Sequence, residues 1–260
     1  MKTVILCGGH GTRLREETEV RPKPMVEIGG RPILWHIMKL YAHHGLNEFV
    51  LCLGYKGYII KDFFLNYEAR VKDVTVRLGN LPAMKFHNGH DEDGWTVTMA
   101  ETGETAMTGA RVRRIRRYLD EGTFCLTYGD GLGDVNLRDL IRFHRSHGKL
   151  GTVTGVRPPG RFGELELDGD RVSGFAEKRQ VTEGFINGGF FMFEREFIDR
   201  YLDDRDDLTL EGEPLQRLAA DGQLMVYQHD GFWQPMDTYR EWKLLEDMWS
   251  TGSAPWKVWE

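Results

Sequence analysis

The first 150 residues alternate between short apolar runs and segments in which apolar residues recur at helical spacing. Three runs, at residues 4–7, 49–53 and 124–128, are apolar almost throughout, which is typical of strands buried in a parallel sheet. Helical spacing covers residues 32–44, 58–67, 109–119 and 137–147. Because strands and helices alternate, the pattern predicts an α/β sandwich around a mostly parallel sheet.

The second part of the chain has a different pattern. Strand-like segments separated by Gly, Pro and Asp turns cover residues 152–156, 164–167, 172–177 and 190–193. Helical spacing returns at residues 196–202, 213–220 and 238–249. Because no low-complexity linker or internal repeat separates the two parts, we expect one domain, 1–260, with a mixed sheet and a helical extension at its C-terminal end.

Charge and composition narrow the classes of protein. The 260 residues include 34 Lys and Arg against 40 Asp and Glu, a net charge of −6, which argues against a surface built to hold nucleic acid. No apolar run approaches the length of a membrane-spanning helix or of a signal-peptide core. Cys7, Cys52 and Cys125 all fall in predicted strands, which is typical of reduced, buried thiols in a cytoplasmic protein.

The residues after the first predicted strand indicate phosphate chemistry. The run GGHGTRL at residues 8–14 is followed by RPKPM at residues 21–25. Glycines at the end of a buried strand let backbone N–H groups approach phosphate oxygens without interference from a Cβ atom, and Arg13 and Lys23 add positive charge. The run lacks the Gly-Lys-Ser/Thr of a P-loop and the third glycine of a dinucleotide-binding fingerprint, so it predicts a phosphate site of another kind.

Together, these two runs resemble the sugar-1-phosphate nucleotidyltransferase family. Further segments resemble the members of that family that join CTP to glucose 1-phosphate: ILWHIM at 33–38, TYGDG at 127–131, PGRFG at 159–163, NGGFF at 187–191 and GFWQPMDT at 231–238. The resemblance covers essentially the whole chain. It implies a Rossmann-like three-layer sandwich, formation of CDP-glucose and pyrophosphate, Mg²⁺ as cofactor, and a homo-oligomer built from dimers.

The resemblance also implies which residues bind the metal and the nucleotide. It makes Asp130 and Asp237 the Mg²⁺ ligands, which suits a metal that takes one or two carboxylates and completes its shell with phosphate and water oxygens. By themselves, Asp130 could cap a turn and Asp237 could cap the helix that follows. The implied nucleotide-binding residues are Leu6, Gly8, Gly9, His10, Gly11, Thr12, Arg13, Lys23, Thr105, Ala110, Arg111 and Gly129.

On the sugar side, residues 175–178, FAEK, resemble the family's Glu-Lys-Pro segment, although Arg179 replaces the proline. The resemblance implies that Lys178 holds the sugar phosphate and that Asn187 contacts sugar hydroxyls, while an Asn-Gly pair is equally typical of a turn. The implied sugar-phosphate-binding residues are Tyr128, Gly163, Glu177, Lys178, Asn187 and Gly188. The implied catalytic residues are Arg13, Lys23, Asp130, Lys178 and Asp237, with Arg13 stabilising the departing pyrophosphate.

The identity of the base is the finer question. The segment 101–111 matches the part of the cytidylyl-transferring relatives that reads the pyrimidine, so Thr105 and Arg111 are expected to hydrogen bond to cytosine. Three alternatives stay open: dTTP or UTP as the nucleotide, another sugar 1-phosphate, and a non-catalytic subunit that senses a sugar nucleotide. The resemblance divides the domain into a nucleotide-binding half (1–150), a sugar-phosphate-binding half (151–230) and a C-terminal part with a metal ligand (231–260).

Two clusters of one residue type remain. Five arginines lie between residues 111 and 117, and the apolar residues between them predict an amphipathic helix with a basic face rather than a nucleic-acid site. Five of the seven tryptophans lie in the last 28 residues, some of them at helical spacing. This apolar face predicts packing within the chain, with contact to another subunit as the alternative.

Overall fold

Strands and helices alternate in the computed structural model, which describes residues 1–9, 11, 14–79, 83–158, 164–168, 171–176 and 184–260. The strands are β1 (Thr3–Leu6), β2 (Glu27–Ile28), β3 (Arg31–Pro32), β4 (Glu48–Leu53), β5 (Asp73–Arg77), β6 (Ala83–His87), β7 (Thr96–Glu101), β8 (Thr123–Tyr128), β9 (Gly131–Gly133), β10 (Gly151–Val156), β11 (Glu164–Asp168), β12 (Arg171–Ala176), β13 (Ile186–Glu194), β14 (Leu224–His229) and β15 (Trp233–Pro235). The helices are α1 (Arg15–Thr18), α2 (Ile33–His43), α3 (Gly57–Leu65), α4 (Tyr67–Val71), α5 (Thr108–Arg114), α6 (Leu137–His147), α7 (Glu196–Tyr201), α8 (Glu213–Ala220) and α9 (Tyr239–Ser250).

A seven-stranded sheet forms the centre, in the order β14-β10-β13-β8-β1-β4-β7. β1 lies parallel between β4 and β8, with Leu6 opposite both Cys52 and Tyr128. β13 runs antiparallel to both of its neighbours, β8 and β10, so the sheet is mixed but mostly parallel, as the sequence predicts. The carboxyl ends of β1, β4 and β8 therefore meet at one edge, where ligands of open α/β sheets bind.

The core lies in two layers, one on each face of this sheet. In β1, Val4 and Leu6 belong to one apolar cluster and Ile5 to the other, because side chains alternate along a strand. Val112 of α5 and Phe197 of α7 pack in the cluster of Val4. The Ile5 cluster contains residues of α2, α3, α6 and α9. Helices thus cover both faces, and the predicted three-layer sandwich is confirmed.

The C-terminal tryptophans pack within the chain. Trp256 is fully buried and stacks on Phe232, with ring centroids 5.7 Å apart. The Trp242 indole donates a hydrogen bond to the carbonyl oxygen of Glu27 at 2.8 Å, and the Trp249 ring lies edge-on to the imidazole of His36. α9 and the tail after it are thereby fixed to α2 and to β2.

Several elements differ from the pattern-based expectation. The helix expected at 58–67 is two helices, α3 and α4, since Asn66 ends the first with its side-chain amide on the carbonyl of Asp62. The helix expected at 109–119 is α-helical only to Arg114 and continues as a 3₁₀ turn at Arg116–Tyr118. The hairpin of β5 and β6 has no counterpart in the prediction, because nearly all of its residues are exposed and no buried face marks it. Among the described residues, α9 is the longest helix, with 12 residues, and none is long and apolar enough to cross a bilayer.

Lowering the pH should destabilise the protein through His36. This buried imidazole lies 2.8 Å from the carbonyl oxygen of Ile28, and its Nδ1 accepts a hydrogen bond from the Trp256 indole. Burial lowers the pKa of His36 from 6.5 to about 4. The unfolded chain binds a proton at His36 near pH 6.5, whereas the folded chain binds it only near pH 4. The free energy of unfolding should therefore decrease as the pH is lowered from 6.5 to about 4.

Urea unfolding of the wild type and of His36→Gln at pH 7 and pH 5 measures this contribution. At about 1.36 kcal/mol per pKa unit, we expect the wild type to lose about 2 kcal/mol more than the variant between these pH values. The variant serves as the control for effects of pH that do not involve His36, because these are common to both proteins. Equal losses in the two proteins would contradict the prediction.

Candidate active site

A cleft opens where β1 and β8 end. After β1, the N–H of Cys7 continues the sheet by donating to the carbonyl of Cys52 at 3.0 Å. The chain then continues into Gly8, Gly9 and Gly11, which are called the glycine run. After β8, the N–H of Gly129 donates to the carbonyl of Leu6 at 3.0 Å. The glycine run and Asp130 therefore stand side by side at one edge of the sheet.

Two glycines of the run have no room for a side chain. Gly8 lies against the Arg111 guanidinium, which a Cβ atom would meet at 2.1 Å. Gly11 has a φ of +61°, in the left-handed region, and a Cβ there would meet Thr18 at 2.8 Å. The Thr18 hydroxyl also donates to the carbonyl of Gly11 at 3.0 Å. The backbone at these two positions thus requires glycine.

Arg111 supports Gly8, the first glycine after β1, by donating a hydrogen bond to its carbonyl oxygen. Its side chain is buried, and burial lowers its pKa, against a smaller raising effect of Cys52 and Cys7. Both terminal nitrogens donate to protein acceptors, so a hydrogen bond from either of them to a base would have to displace one of these contacts. The acceptors, at 2.8 to 3.2 Å, are the carbonyl oxygens of Gly8, Leu53, Gly103 and Glu104 and the hydroxyl of Thr102.

Lys23 joins the two predicted metal ligands. Its ammonium nitrogen lies 2.6 Å from Oδ2 of Asp130 and 2.6 Å from Oδ1 of Asp237. The Lys23 side chain is only 10% exposed. Burial alone would lower its pKa, but the two carboxylates outweigh burial and raise the pKa of Lys23 above its ordinary value. One cation and two carboxylates thus form a half-buried cluster with one net negative charge.

The positions of the two carboxylates are fixed by backbone pairing. β9 follows Asp130 and pairs antiparallel with β15, which precedes Asp237. The N–H of Met236 donates to the carbonyl of Asp130 at 2.8 Å. Thr238, not Asp237, caps α9: it forms a capping box with Glu241, whose carboxylate also accepts from the N–H of Asp237 at 2.9 Å. Asp237 therefore points its own carboxylate at Lys23.

Two cavities meet at this cluster. The first, of about 320 Å³, lies over the glycine run and is called the glycine-loop cavity. The second, of about 380 Å³, is lined by Asn187, Gly188 and Trp233 and is called the Asn187 cavity. Tyr128 and Asp130 line both cavities. Two molecules, one bound in each cavity, would therefore both lie next to the carboxylate of Asp130.

The structure brings most of the described candidate residues together. The glycine-loop cavity is lined by Leu6, Gly8, Gly9, Gly11, Lys23, Arg111, Tyr128, Gly129 and Asp130 among the candidates. The Asn187 cavity is lined by Tyr128, Asp130, Asn187, Gly188 and Asp237 among them. From the segment 105–111, Ala106, Met107 and Thr108 line the glycine-loop cavity with Arg111, whereas Thr105 is exposed and Ala110 is buried behind them. The candidates His10, Thr12, Arg13, Gly163, Glu177 and Lys178 lie outside the described residues.

Two residues of the site, Trp233 and Glu211, were not predicted from the sequence. Trp233 lines the Asn187 cavity, and its indole donates to the carbonyl of Gly188 at 2.8 Å. Glu211 accepts hydrogen bonds from the hydroxyls of Thr108 and Tyr128, so it links residues of both cavities. Trp233 could have been predicted as a site residue, because it lies four residues before Asp237. Glu211 follows an acidic loop in the sequence, where nothing distinguishes it from a solvated side chain.

The carboxylates of Asp130 and Asp237 fit a divalent metal. Both are oxygen donors, they come from separate chain segments, and both face one atom, the Lys23 nitrogen, at the same distance of 2.6 Å. Two carboxylates that converge in this way match the few protein ligands that Mg²⁺ takes beside phosphate oxygens. Lys23 provides the positive charge that holds them together.

Comparison with known proteins identifies the family of this chain. Residues 2–243 match the nucleotidyl transferase family, and the chain belongs to that family. The chain is 51% identical to the glucose-1-phosphate cytidylyltransferase of Salmonella typhi and 44% identical to the probable glucose-1-phosphate cytidylyltransferase of Bacillus subtilis, over 100% of both chains in each case. The crystal structure of HddC from Yersinia pseudotuberculosis shares the fold, with a TM-score of 0.69 and 23% identity over 95% of this chain and 99% of that one. Enzymes of this family generally use a divalent metal.

Proposed function

We propose that this chain transfers a cytidylyl group from CTP to α-D-glucose 1-phosphate, giving CDP-glucose and pyrophosphate. The observation that carries the proposal is the cluster of Lys23, Asp130 and Asp237 at the junction of two cavities. The identity over full length to two curated relatives supports CTP and glucose 1-phosphate as the substrates. The triphosphate binds in the glycine-loop cavity and the sugar phosphate in the Asn187 cavity.

The reaction is an in-line displacement. A phosphate oxygen of glucose 1-phosphate attacks the α-phosphorus of CTP, and pyrophosphate leaves from the opposite side. Because a sugar phosphate is already a nucleophile at neutral pH, the protein has only to position the two substrates and stabilise charge. The backbone N–H groups of the glycine run hold the triphosphate, and Lys23 holds its phosphate oxygens.

Asp130 and Asp237 would hold Mg²⁺, which neutralises negative charge on the phosphates when it is bound. Two cations outside the described residues complete the proposed machinery. Arg13 stabilises the departing pyrophosphate, and Lys178 holds the phosphate of the sugar. Both roles rest on the family motifs that these residues match.

We also propose a homo-oligomer in the cytoplasm. The β5–β6 hairpin supports the oligomer, since the cross-strand pairs Val74–Phe86 and Val76–Met84 leave four exposed apolar side chains on it. A two-stranded hairpin with such a face gains stability when another surface covers it.

The free, buried thiols support the proposed cytoplasmic location, since the cytoplasm is a reducing compartment. Burial raises the pKa of Cys52 and of Cys125 to about 12.

Nucleotide preference tests the proposed reaction. Pyrophosphate release is measured with glucose 1-phosphate and, in turn, CTP, UTP, dTTP, ATP and GTP in the presence of Mg²⁺. We expect CTP to be used with a kcat/KM about 10²-fold above that of the next nucleotide, because a site that hydrogen bonds to one base leaves polar groups unpaired with another. Faster turnover of UTP or dTTP would overturn the cytidylyl assignment, and no release with any nucleotide would support the sensing subunit.

A further inference from the structure

A chain of hydrogen bonds crosses from one cavity to the other through Glu211. The Thr108 hydroxyl donates to Oε2 of Glu211 at 2.7 Å, and the Tyr128 hydroxyl donates to Oε1 of the same carboxylate. Asn187 then donates from Nδ2 to the Tyr128 oxygen at 3.1 Å. Thr108 lines the glycine-loop cavity and Asn187 lines the other, so one carboxylate is tied to both.

The direction of each hydrogen bond follows from the chemistry of Glu211. An ionised carboxylate only accepts, so the Tyr128 proton must point at Glu211. The Tyr128 oxygen can then only accept from Asn187, which must present its NH₂ group. At the other end, Oδ1 of Asn187 accepts from the N–H of Gly189 at 2.9 Å. The orientation of the Asn187 amide is thus determined from both ends.

We propose that Glu211 is a positioning residue for sugar-1-phosphate recognition, which acts through Tyr128 to hold Asn187 with its NH₂ group as a hydrogen-bond donor in the Asn187 cavity. An amide nitrogen carries two hydrogens; one is used on Tyr128, and the second is offered to a hydroxyl oxygen of the sugar. The inference rests on the proposed function, since it assumes that this cavity holds the sugar phosphate.

The local structure supports a role in positioning. Burial, and next the neighbouring Glu211 carboxylate, raise the pKa of Tyr128, so its hydroxyl keeps the proton that the chain of hydrogen bonds needs. The segment that carries Glu211 is joined to Thr108, because the Thr108 hydroxyl accepts from the N–H of Leu210 at 2.9 Å and donates to Glu211. The acceptor that orients Tyr128 is therefore attached to α5 and not to a free loop.

Glu211→Gln tests this role with almost no change of shape. The amide oxygen of Gln can still accept from Thr108, which leaves its NH₂ group facing the Tyr128 hydroxyl and removes the acceptor for that proton. Loss of a hydrogen bond to a charged group predicts a KM for glucose 1-phosphate raised about tenfold, with the KM for CTP changed less than about threefold. Tyr128→Phe removes the next hydroxyl in the same series of hydrogen bonds, so it should raise the KM for glucose 1-phosphate by the same amount.

The double variant distinguishes action through Tyr128 from a general structural effect. If both substitutions interrupt the same series of hydrogen bonds, their effects should not add. The KM for glucose 1-phosphate of the variant with both Glu211→Gln and Tyr128→Phe should then be no higher than that of the worse single variant. Glu213→Gln is the matched control: it removes the same charge two residues away, at an exposed site paired with Arg205, and should behave as the wild type. The thermal unfolding midpoints of all variants show whether each is folded.

The outcomes are separate from those of the proposed function. A wild type that does not turn over CTP and glucose 1-phosphate contradicts the proposed reaction. An active wild type with an unchanged sugar KM in folded Glu211→Gln overturns the role of Glu211. Multiplied effects in the double variant, or equal rises in both KM values, overturn it as well, because Glu211 would then act by another route.

Discussion

Asp130→Asn should lower kcat about 10³-fold, because a ligand that stabilises several kcal/mol of transition-state charge is lost while the shape of the side chain is kept. Asp130 lines both cavities, as Tyr128 does, and Asp237 is its partner across Lys23. With one carboxylate replaced, Lys23 and Asp237 form a neutral pair. We therefore expect the fold to persist and the binding of Mg²⁺ to weaken.

Steady-state pyrophosphate release over a range of Mg²⁺ concentrations measures both effects. The control is Asp120→Asn, which removes a carboxylate before β8 rather than after it, at an exposed site paired with Lys2. It should leave kcat unchanged. If the kcat of Asp130→Asn stays within about tenfold of the wild-type value, Asp130 is not a metal ligand, because loss of a metal ligand lowers kcat by more than that.

The fold could be predicted from the sequence where apolar patterns are strong. The runs that became β1, β4 and β8 are buried on both faces, so they contain almost no polar residues and stand out as strands. The β5–β6 hairpin and β14, by contrast, carry exposed or half-buried residues, so the chain gives little pattern to read. Strand prediction failed where burial, which makes the pattern, was absent.

Within the site, motifs identified residues but not their partners. Lys23, Asp130 and Asp237 were each recognisable from local sequence, yet no local pattern shows that one ammonium lies between two carboxylates 107 and 214 residues away. Arg111 was expected to face the base, and its burial under Gly8 follows from packing that only the folded chain defines. Glu211 depends on three hydroxyl and amide groups from separate segments, so local sequence carries no signal for it.

The C-terminal tryptophans act on this site through α9. Asp237 lies next to Thr238, the N-cap of this helix, and Lys23 begins the segment that continues into β2. α9 binds that segment by two hydrogen bonds, from the Trp242 indole to the carbonyl of Glu27 and from the N–H of Gly29 to Glu246, both at 2.8 Å. The extension therefore holds together two chain segments that carry members of the charged cluster. Packing at the C-terminal end is a condition for the geometry of the site.

Trp256→Ala should lower the free energy of unfolding by about 4 kcal/mol, since truncating a fully buried tryptophan removes its apolar contacts and leaves a cavity. Trp256 is 0% exposed, stacks on Phe232 and Trp249, and donates to His36. This is a large share of the roughly 5–15 kcal/mol that stabilises a folded protein. Urea unfolding at pH 7 measures it.

Trp259→Ala is the matched control for this loss. Trp259 is only partly buried and packs edge-on against Trp35, so its truncation should cost about 1–2 kcal/mol. Equal losses for the two variants would show that burial of Trp256 is not what anchors the extension. With the expected difference, Trp256→Ala should also lower kcat in the folded fraction, because α9 then holds Asp237 less firmly against Lys23, whereas Trp259→Ala should not.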